Sequence, residues 1–473
     1  MPRSGLPAEA LAKAGGELEN KKFLIIGIGA LLLIVLVILF AVSSCNKKKT
    51  SNQTGSNTLT IWSLDDDKSS FDQIINDFQK SNNIKINYVK KDSKTYLNDA
   101  LNDIAAGKGP DVWAIPNDWL PQYHDKLVAM PDGKLADSKT KKSDVEVYKD
   151  SFPTVVSQDN IIGDKIYGMP LSIDALSLYY NTDIFANVLS AYQRAHQDED
   201  NSAIRRILNN GPKNWDEFVQ AVKLITEKSG NDVSQSAVAM GAPDNVNQSV
   251  DILTLLMLQD GAKMTSDDLS TAQFHTKQNV FGGQDFPGTK ALDFYASFAN
   301  SQNENYTWNS SMPDALHAFA EGKTAMMLDY TGVQSQVKNI NGQLQFQVIP
   351  LPQIKETQNP VNYVSYLTFT VTKASKNSDL AWNFITFLTN KDNSSIYRSN
   401  TRKPPALLAS IQNASQDTVT QILTAQSWYK PDPEKADSIF QNMIKQVNEG
   451  KNSQTAIENA ASQITTLLGK IQP

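Results

Sequence analysis

The stretch EGKTAMMLDY, Glu321 to Tyr330, contains Gly322-Lys323-Thr324, the closing residues of a phosphate-binding P-loop. That chemistry needs a further glycine five positions before Gly322, so that successive backbone amides wrap the phosphates. His317 stands there instead, within MPDALHAFAEG, a run with helical rather than loop character. The nucleotide reading fails, and the segment reads as helix, glycine turn and a short buried strand from Thr324 to Leu328. Other reactive groups are sparse. Cys45 is the one cysteine, so neither an intrachain disulfide nor a thiolate metal cluster is available. His124, His196, His275 and His317 are scattered without metal-ligand spacing. The acids Asp65-Asp66-Asp67 lack the alternating ligands and glycine of a calcium loop, and read as a solvated loop before a helix N-terminus. No nucleophile elbow or serine–histidine set is present. Acid pairs of the glycosidase kind need no fixed spacing in sequence, which leaves an extracellular glycan-acting enzyme as an alternative to a binding protein.

The elements that must carry any site alternate in type. LTIWSL (Leu59 to Leu64) is a buried-strand pattern. SSFDQIINDFQK places Phe71, Ile74, Ile75 and Phe78 on one helix face, with Ser70 and Gln73 spaced as a capping box. IKINYVK alternates as a strand does, TYLNDALNDIAAG is helical with Gly107 near its end, and PDVWAIP is a third strand. Strand, helix, strand, helix, strand at this spacing predicts parallel pairing. Ligands of such sheets bind beyond the carboxyl ends of the strands. The loops SLDDDKSS and PNDWLPQ are therefore the first places to look. Further on, Ala175 to Tyr180 is strand-like, PKNWDEFVQAVKLITEKSG is a helix with an Asn214/Glu217 capping pair, and helices close the chain from Ala436. Residues 187–210 read as an inserted, charged surface helix pair.

The N-terminal run Phe23 to Val42 is 20 uncharged residues, long enough to span a bilayer, and leads into Val42-Ser43-Ser44-Cys45. Two expectations compete: a cleaved lipoprotein signal with Cys45 lipidated, or an uncleaved anchor. Both put the rest of the chain outside the cytoplasmic membrane, after a polar tether at 46–58. The 473 residues carry 44 basic and 50 acidic groups, a net charge of −6, which argues against a nucleic-acid partner.

LTIWSL, GKGPDVWAIP, KIYGMPLSIDALSLYYNTDIF, PKNWDEF, FAEGKTAMMLDY and VTKASKNSDLAWNFITFLTN, in this order, resemble the large sugar-binding family of extracellular solute-binding proteins that serve ATP-binding-cassette importers. The maltose-binding proteins belong to that family. The resemblance implies an α/β clamshell of type II, two lobes each with a mainly parallel sheet flanked by helices. Lobe one would be 59–173 plus 366–415, and lobe two 174–365 plus 416–473. It implies a monomeric, non-catalytic receptor without cofactor or metal that captures a small solute, a sugar or oligosaccharide, for permease subunits. A sensor using the same clamshell is a further alternative. By the same resemblance, Asp66, Asp67 and Lys68, then Asn117, Asp118 and Trp119, then Asp174, Tyr330 and Trp428 match ligand-binding positions. There aromatic faces stack on sugar rings and polar groups bind hydroxyls. Trp119 and Trp428 would be opposing platforms; Trp308 and Tyr366 are weaker candidates, and Trp62 and Trp113 read as core. Where many relatives carry a tryptophan after the AMM strand, this chain has Tyr330-Thr331-Gly332.

Overall fold

The computed structural model describes residues 58–470 except 65, 137–140, 198–199, 281–282, 356, 358 and 412–413. Cys45, the Phe23 to Val42 run, most of the tether and Asp65 lie outside the described residues. No helix among the described residues is long and apolar enough to cross a membrane.

The first sheet grows from the predicted alternation. Strands β1 (Thr58–Ser63), β2 (Lys85–Lys90) and β3 (Val112–Pro116) pair in parallel around a central β1. Helices Asp72–Asn82 and Ser93–Ala105 make the crossovers. Ile74, Ile75 and Phe78 are buried, as their spacing requires. The Ser70/Gln73 capping box does not form. A 3-10 turn, Lys68–Phe71, precedes the helix, and its start falls at Phe71 without a side-chain cap. Phe71 explains this. Its ring is buried between Tyr88 and Tyr397, with centroids 5.1 and 5.3 Å away, and this packing fixes the entry of the chain. Gly107, at φ 68°, takes the left-handed conformation just past the second helix. After the β4 (Ile161–Ile162) and β5 (Lys165–Ile166) hairpin, β6 (Met169–Pro170) joins the far edge. The sheet order is β2-β1-β3-β15-β6, with β15 (Leu367–Val371) antiparallel to β3.

The second sheet is built on β7 (Asp174–Asn181), buried from Ala175 onward. The chain between the two sheets is short, Leu171 to Ile173. Strand β8 (Glu227–Ser229) pairs antiparallel with β9 (Asp232–Ala239), and β10 (Gln278–Val280) forms a separate hairpin with β11 (Gly283–Asp285). Strand β12 (Thr324–Tyr330) lies between β9 and β7, parallel to the first and antiparallel to the second. Strands β13 (Phe346–Pro350) and β14 (Asn362–Ser365) line the other side of β7, and β16 (Ala425–Gln426) pairs in parallel with β14. Strands β9, β12, β13, β14 and β16 thus run one way, against β7 and β8. Gly322, at φ 74°, turns the chain from helix Ala315–Ala320 into β12, so the apparent P-loop remnant is a helix-to-strand turn. The expected helix pair is present as Thr182–Ala195 and Ser202–Asn210, beginning earlier than 187 because Asn181 caps the first helix.

Two large apolar clusters follow the two sheets, and Ala175, Val364 and Ala425 at the ends of β7, β14 and β16 join the first sheet's cluster. One gathers around β7, β9 and β12 and the helices Ser249–Gln259, Pro287–Ser297, Pro433–Asn448 and Ser453–Leu468. Another fills the space between the first sheet and helices Asp72–Asn82 and Ser378–Leu388. A small aromatic cluster, Trp62, Tyr96, Trp113 and Tyr123, lies on the other face of the first sheet. Trp62 and Trp113 are core residues, 8% and 0% exposed.

Candidate functional site

The loop after β3 and the segment after β16 come from different sheets, yet their side chains meet. Lys430 follows β16 and is 3% exposed. Its ammonium lies 2.9 Å from Asp437 Oδ1, 3.3 Å from Asp118 Oδ2 and 3.7 Å from Asp251 Oδ1. Asp118 stands in the short turn that ends β3, whereas Asp251 and Asp437 sit on helices Ser249–Gln259 and Pro433–Asn448 of the second sheet. Tyr330, at the end of β12, donates its hydroxyl to Asp251 Oδ2 at 2.8 Å. Its own carbonyl accepts from the Tyr179 hydroxyl at 2.7 Å. Beside this chain lies a second polar node. Asp159 Oδ2 accepts from Asn117 Nδ2 at 3.0 Å and the Tyr366 hydroxyl at 2.6 Å, and its Oδ1 accepts from Ser427 Oγ. Ser427 comes from the second sheet and Asp159 from the first, so two independent contacts cross between the bodies.

Burial decides the protonation states. Desolvation works to lower Lys430, but Asp118, Tyr363, Asp251 and Asp437 around it outweigh that and hold it well above its ordinary 10.5. One ammonium does not compensate three carboxylates. Burial accordingly raises Asp437 to about 6 despite Lys430, and also raises Asp251. Asp159 is raised to about 6, again chiefly by burial and against its three hydrogen bonds. Asp329, 1% exposed and bonded by Gln248, is raised by burial to about 6. Carboxyl, amide and phenol groups in this arrangement can bond hydroxyl groups, and the excess of acids disfavours anions.

The sequence-derived residues separate into two groups. Asn117, Asp118 and Tyr330 join the network directly. Trp428 is two residues from Lys430, 8% exposed, with its ring 5.8 Å from Phe440. Among the described residues its buried Nε1 has no hydrogen-bond partner. Trp119 is half-buried and packs on the aromatic cluster, 6.1 to 6.3 Å from Tyr123, Tyr96 and Trp113. The second group is engaged elsewhere. Asp66 accepts from the Tyr397 hydroxyl at 2.6 Å and from Lys403 at 3.0 Å. Asp67 pairs with Lys90 at 3.0 Å on the surface, and Lys68 pairs with Asp72. Asp174 binds the turn after β12, accepting from Thr331 N at 2.9 Å, Gly332 N at 2.8 Å and the Thr331 hydroxyl. Gly332 permits this: a Cβ there would stand 2.8 Å from Asp174 Oδ2. Trp308 is fully buried, with its Nε1 donating to Asn245 Oδ1 at 2.9 Å.

Asp159, Asp251, Lys430 and Asp437 were not singled out by sequence reasoning. Asp251 did carry a signal, since it is one charge in the first turn of an otherwise apolar helix, VDILTLLMLQ. Lys430 carried none, as SWYKPDPEK has the composition of a surface loop.

The profile of a family described as bacterial extracellular solute-binding protein matches residues 62–394. A galactooligosaccharide-binding protein of Bacillus subtilis (strain 168) is 20% identical over 415 residues, covering 85% of this chain and 86% of its own. Among solved structures, a cyclic α-maltosyl-1,6-maltose binding protein from Arthrobacter globiformis superposes with TM-score 0.67 at 16% identity, covering 88% of this chain and 100% of that one. An ABC transporter solute-binding protein from Thermotoga lettingae TMO, bound with α-D-tagatose, gives 0.65 at 20% identity, with coverage of 88% and 100%. The fold is thus the two-lobed, type II clamshell of periplasmic binding proteins.

Proposed function

Because the chain belongs to the bacterial extracellular solute-binding proteins, we propose that it captures a carbohydrate between its lobes and delivers it to an ABC permease, without catalysis. The lobes in this reading are 59–173 plus 366–415 and 174–365 plus 416–473, and the protein acts as a monomer on the outer face of the cytoplasmic membrane. Cys45, lipidated, or the uncleaved apolar run before it would hold it there.

The observation that carries the reading is the chain Asp118–Lys430–Asp251–Tyr330, which draws its members from both sheets. The carboxyl ends of strands β3 and β12 supply Asn117, Asp118 and Tyr330, where α/β sheets place ligands. Carboxylates and a phenol offer acceptors and donors for sugar hydroxyls, and Trp428 and Trp119 supply apolar surface for C–H faces. Asp66, Asp67, Lys68 and Asp174 act in support, by holding the loops that frame the cleft.

A thermal-shift screen of the chain from residue 57 onward, with galacto-oligosaccharides, maltotetraose and tagatose beside amino acids and peptides, tests the class of ligand. A saturable rise in melting temperature with a carbohydrate is expected. A rise with peptides or amino acids and none with any carbohydrate would overturn the assignment.

A further inference from the structure

Asp159 stands in the last turn of helix Thr154–Asn160, where three other chain segments meet it. Its Oδ2 accepts from Asn117 Nδ2, just past β3, and from the hydroxyl of Tyr366, the single residue between β14 and β15 where the chain passes from the second sheet back to the first. Its Oδ1 accepts from Ser427 Oγ, which follows β16 of the second sheet. We propose that Asp159 is a proton-linked pin between the lobes: closure over solute takes up a proton at this carboxyl, so capture is tighter in mildly acidic surroundings than at neutral pH. This regulation rests on the reading that solute is captured between two moving lobes.

The bond to Ser427 is the one that differs between open and closed lobes. Asn117 and Tyr366 are tied to each other, with Asn117 N donating to Tyr366 O at 3.0 Å and Tyr366 N donating to Asn117 Oδ1 at 3.3 Å. The Tyr366 hydroxyl also accepts from Asn160 Nδ2 at 3.2 Å, so these groups stay with Asp159 on the side of the first sheet. Ser427 goes with the second sheet, and the same segment makes the other crossing, from Lys430 to Asp118. Opening withdraws Ser427 and lets water reach Oδ1.

A hydroxyl at this place accommodates both protonation states. Ionised, Oδ1 accepts from Ser427; protonated, Oδ1 donates to the same Oγ, whose lone pairs accept. The two bonds to Oδ2 persist in both states. The proton therefore removes the cost of an enclosed negative charge without breaking a hydrogen bond. Burial is the largest influence and raises Asp159 to about 6 against its three hydrogen bonds, and the like charge of Asp118 raises it further. Tyr148 and Tyr366, beside it, are held by burial well above their ordinary 10 and stay neutral. Helix Leu120–Tyr123 packs alongside; its Tyr123 is pushed up to about 12, chiefly by burial, and the following His124 engages the Pro121 carbonyl and the Tyr167 ring. The Lys430 ammonium is engaged by Asp118, Asp251 and Asp437. With Oδ1 hydrated in the open form, Asp159 returns toward its ordinary 3.8. Between about 4 and 6 the closed form holds a proton that the open form releases, so closure weakens as pH rises through that window.

The test uses residues 57–473, a compact unit of their own, and the carbohydrate that gives the largest thermal shift. Titration calorimetry at about pH 5.5, in two buffers of different ionisation enthalpy, counts the protons taken up on binding, and affinity is followed from about pH 5 to 7. The parent should show net uptake and an affinity that falls by up to about tenfold across that range, the limit for one proton linked between values near 4 and 6. Asp159→Asn is neutral and of the same shape, with an amide that donates to Ser427 Oγ as the protonated acid does. It should show less uptake and a flatter profile, and bind at pH 7 at least as tightly as the parent; Asp251, Asp329 and Asp437 account for the uptake that remains. A purely structural Asp159 would instead lower affinity equally at every pH in the variant. That result, equal uptake in the two proteins, or no uptake in the parent would overturn the proposal. Should no carbohydrate bind at any pH, the receptor reading fails, and small-angle scattering of the ligand-free protein decides the pin. A smaller radius of gyration at pH 5 than at pH 7, absent in Asp159→Asn, supports it; equal radii overturn it.

Discussion

At the scale of single residues, the most consequential group is the ammonium of Lys430. Three carboxylates depend on it, and a buried charge left without its partner is far more costly than the pair itself. Lys430→Met is expected to lower unfolding stability by about 3–5 kcal/mol, read by urea denaturation at pH 7. A loss below about 1 kcal/mol, the range of exposed pairs, would mean that the ammonium is solvated. Asp159 gives a prediction in pH. Its folded value, about 6, lies above the ordinary 3.8 because it is buried. Between those values the folded state holds a proton that the unfolded chain releases, so stability falls as pH rises. The contribution is complete below about pH 4 and gone above about 6, with a slope of at most about 1.4 kcal/mol per pH unit for one proton. Asp159→Asn should flatten that descent, measured by urea unfolding from pH 4 to 7. Asp329 and Asp437, also near 6, leave a residual slope. An identical slope in parent and variant would show that Asp159 ionises normally.

At the scale of elements, periodicity and turn chemistry located most of the scaffold. The three strands and two helices around Leu59 to Pro116 were legible because burial on one face imposes its period on the sequence. The Gly322 turn was legible because a glycine follows a helical run. The residues that complete the site were harder to find. Lys430 meets Asp118, and Ser427 meets Asp159 across 268 positions of chain, and a contact of such separation leaves no local period. The start of helix Asp72–Asn82 was misplaced for a related reason, since Phe71 answers to Tyr397, on a distant helix. Two substitutions test how elements fit. Asp174→Ala removes the acceptor for two backbone amides and a hydroxyl in the turn after β12, and should cost about 1–3 kcal/mol. Gly288 lies in helix Pro287–Ser297, where a Cβ would stand 2.0 Å from the Phe274 carbonyl oxygen. Gly288→Ala should destabilise by about 1–3 kcal/mol through overpacking. Denaturant midpoints check both, and an unchanged midpoint in Gly288→Ala would show that the helix shifts freely.

In the whole molecule, two sheets, each with a large apolar cluster, also meet through a polar network, an arrangement compatible with hinge bending. Ligand that bridges the lobes should favour the closed state, seen as a smaller radius of gyration in small-angle scattering. At the N-terminus, Cys45→Ser should abolish lipid labelling and leave the apolar run uncleaved; identical mass and no lipid in both forms would favour the anchor. Solute is expected to bind beside Asp118 and Tyr330, which Lys430 and Asp251 link. Titration calorimetry with the carbohydrate that gives the largest thermal shift tests it most directly, comparing the parent with Asp118→Asn and Tyr330→Phe. Both variants should fold normally and bind about ten- to hundredfold more weakly, the loss of one or two hydrogen bonds involving a charged group. Parental affinity in both variants would place the solute elsewhere.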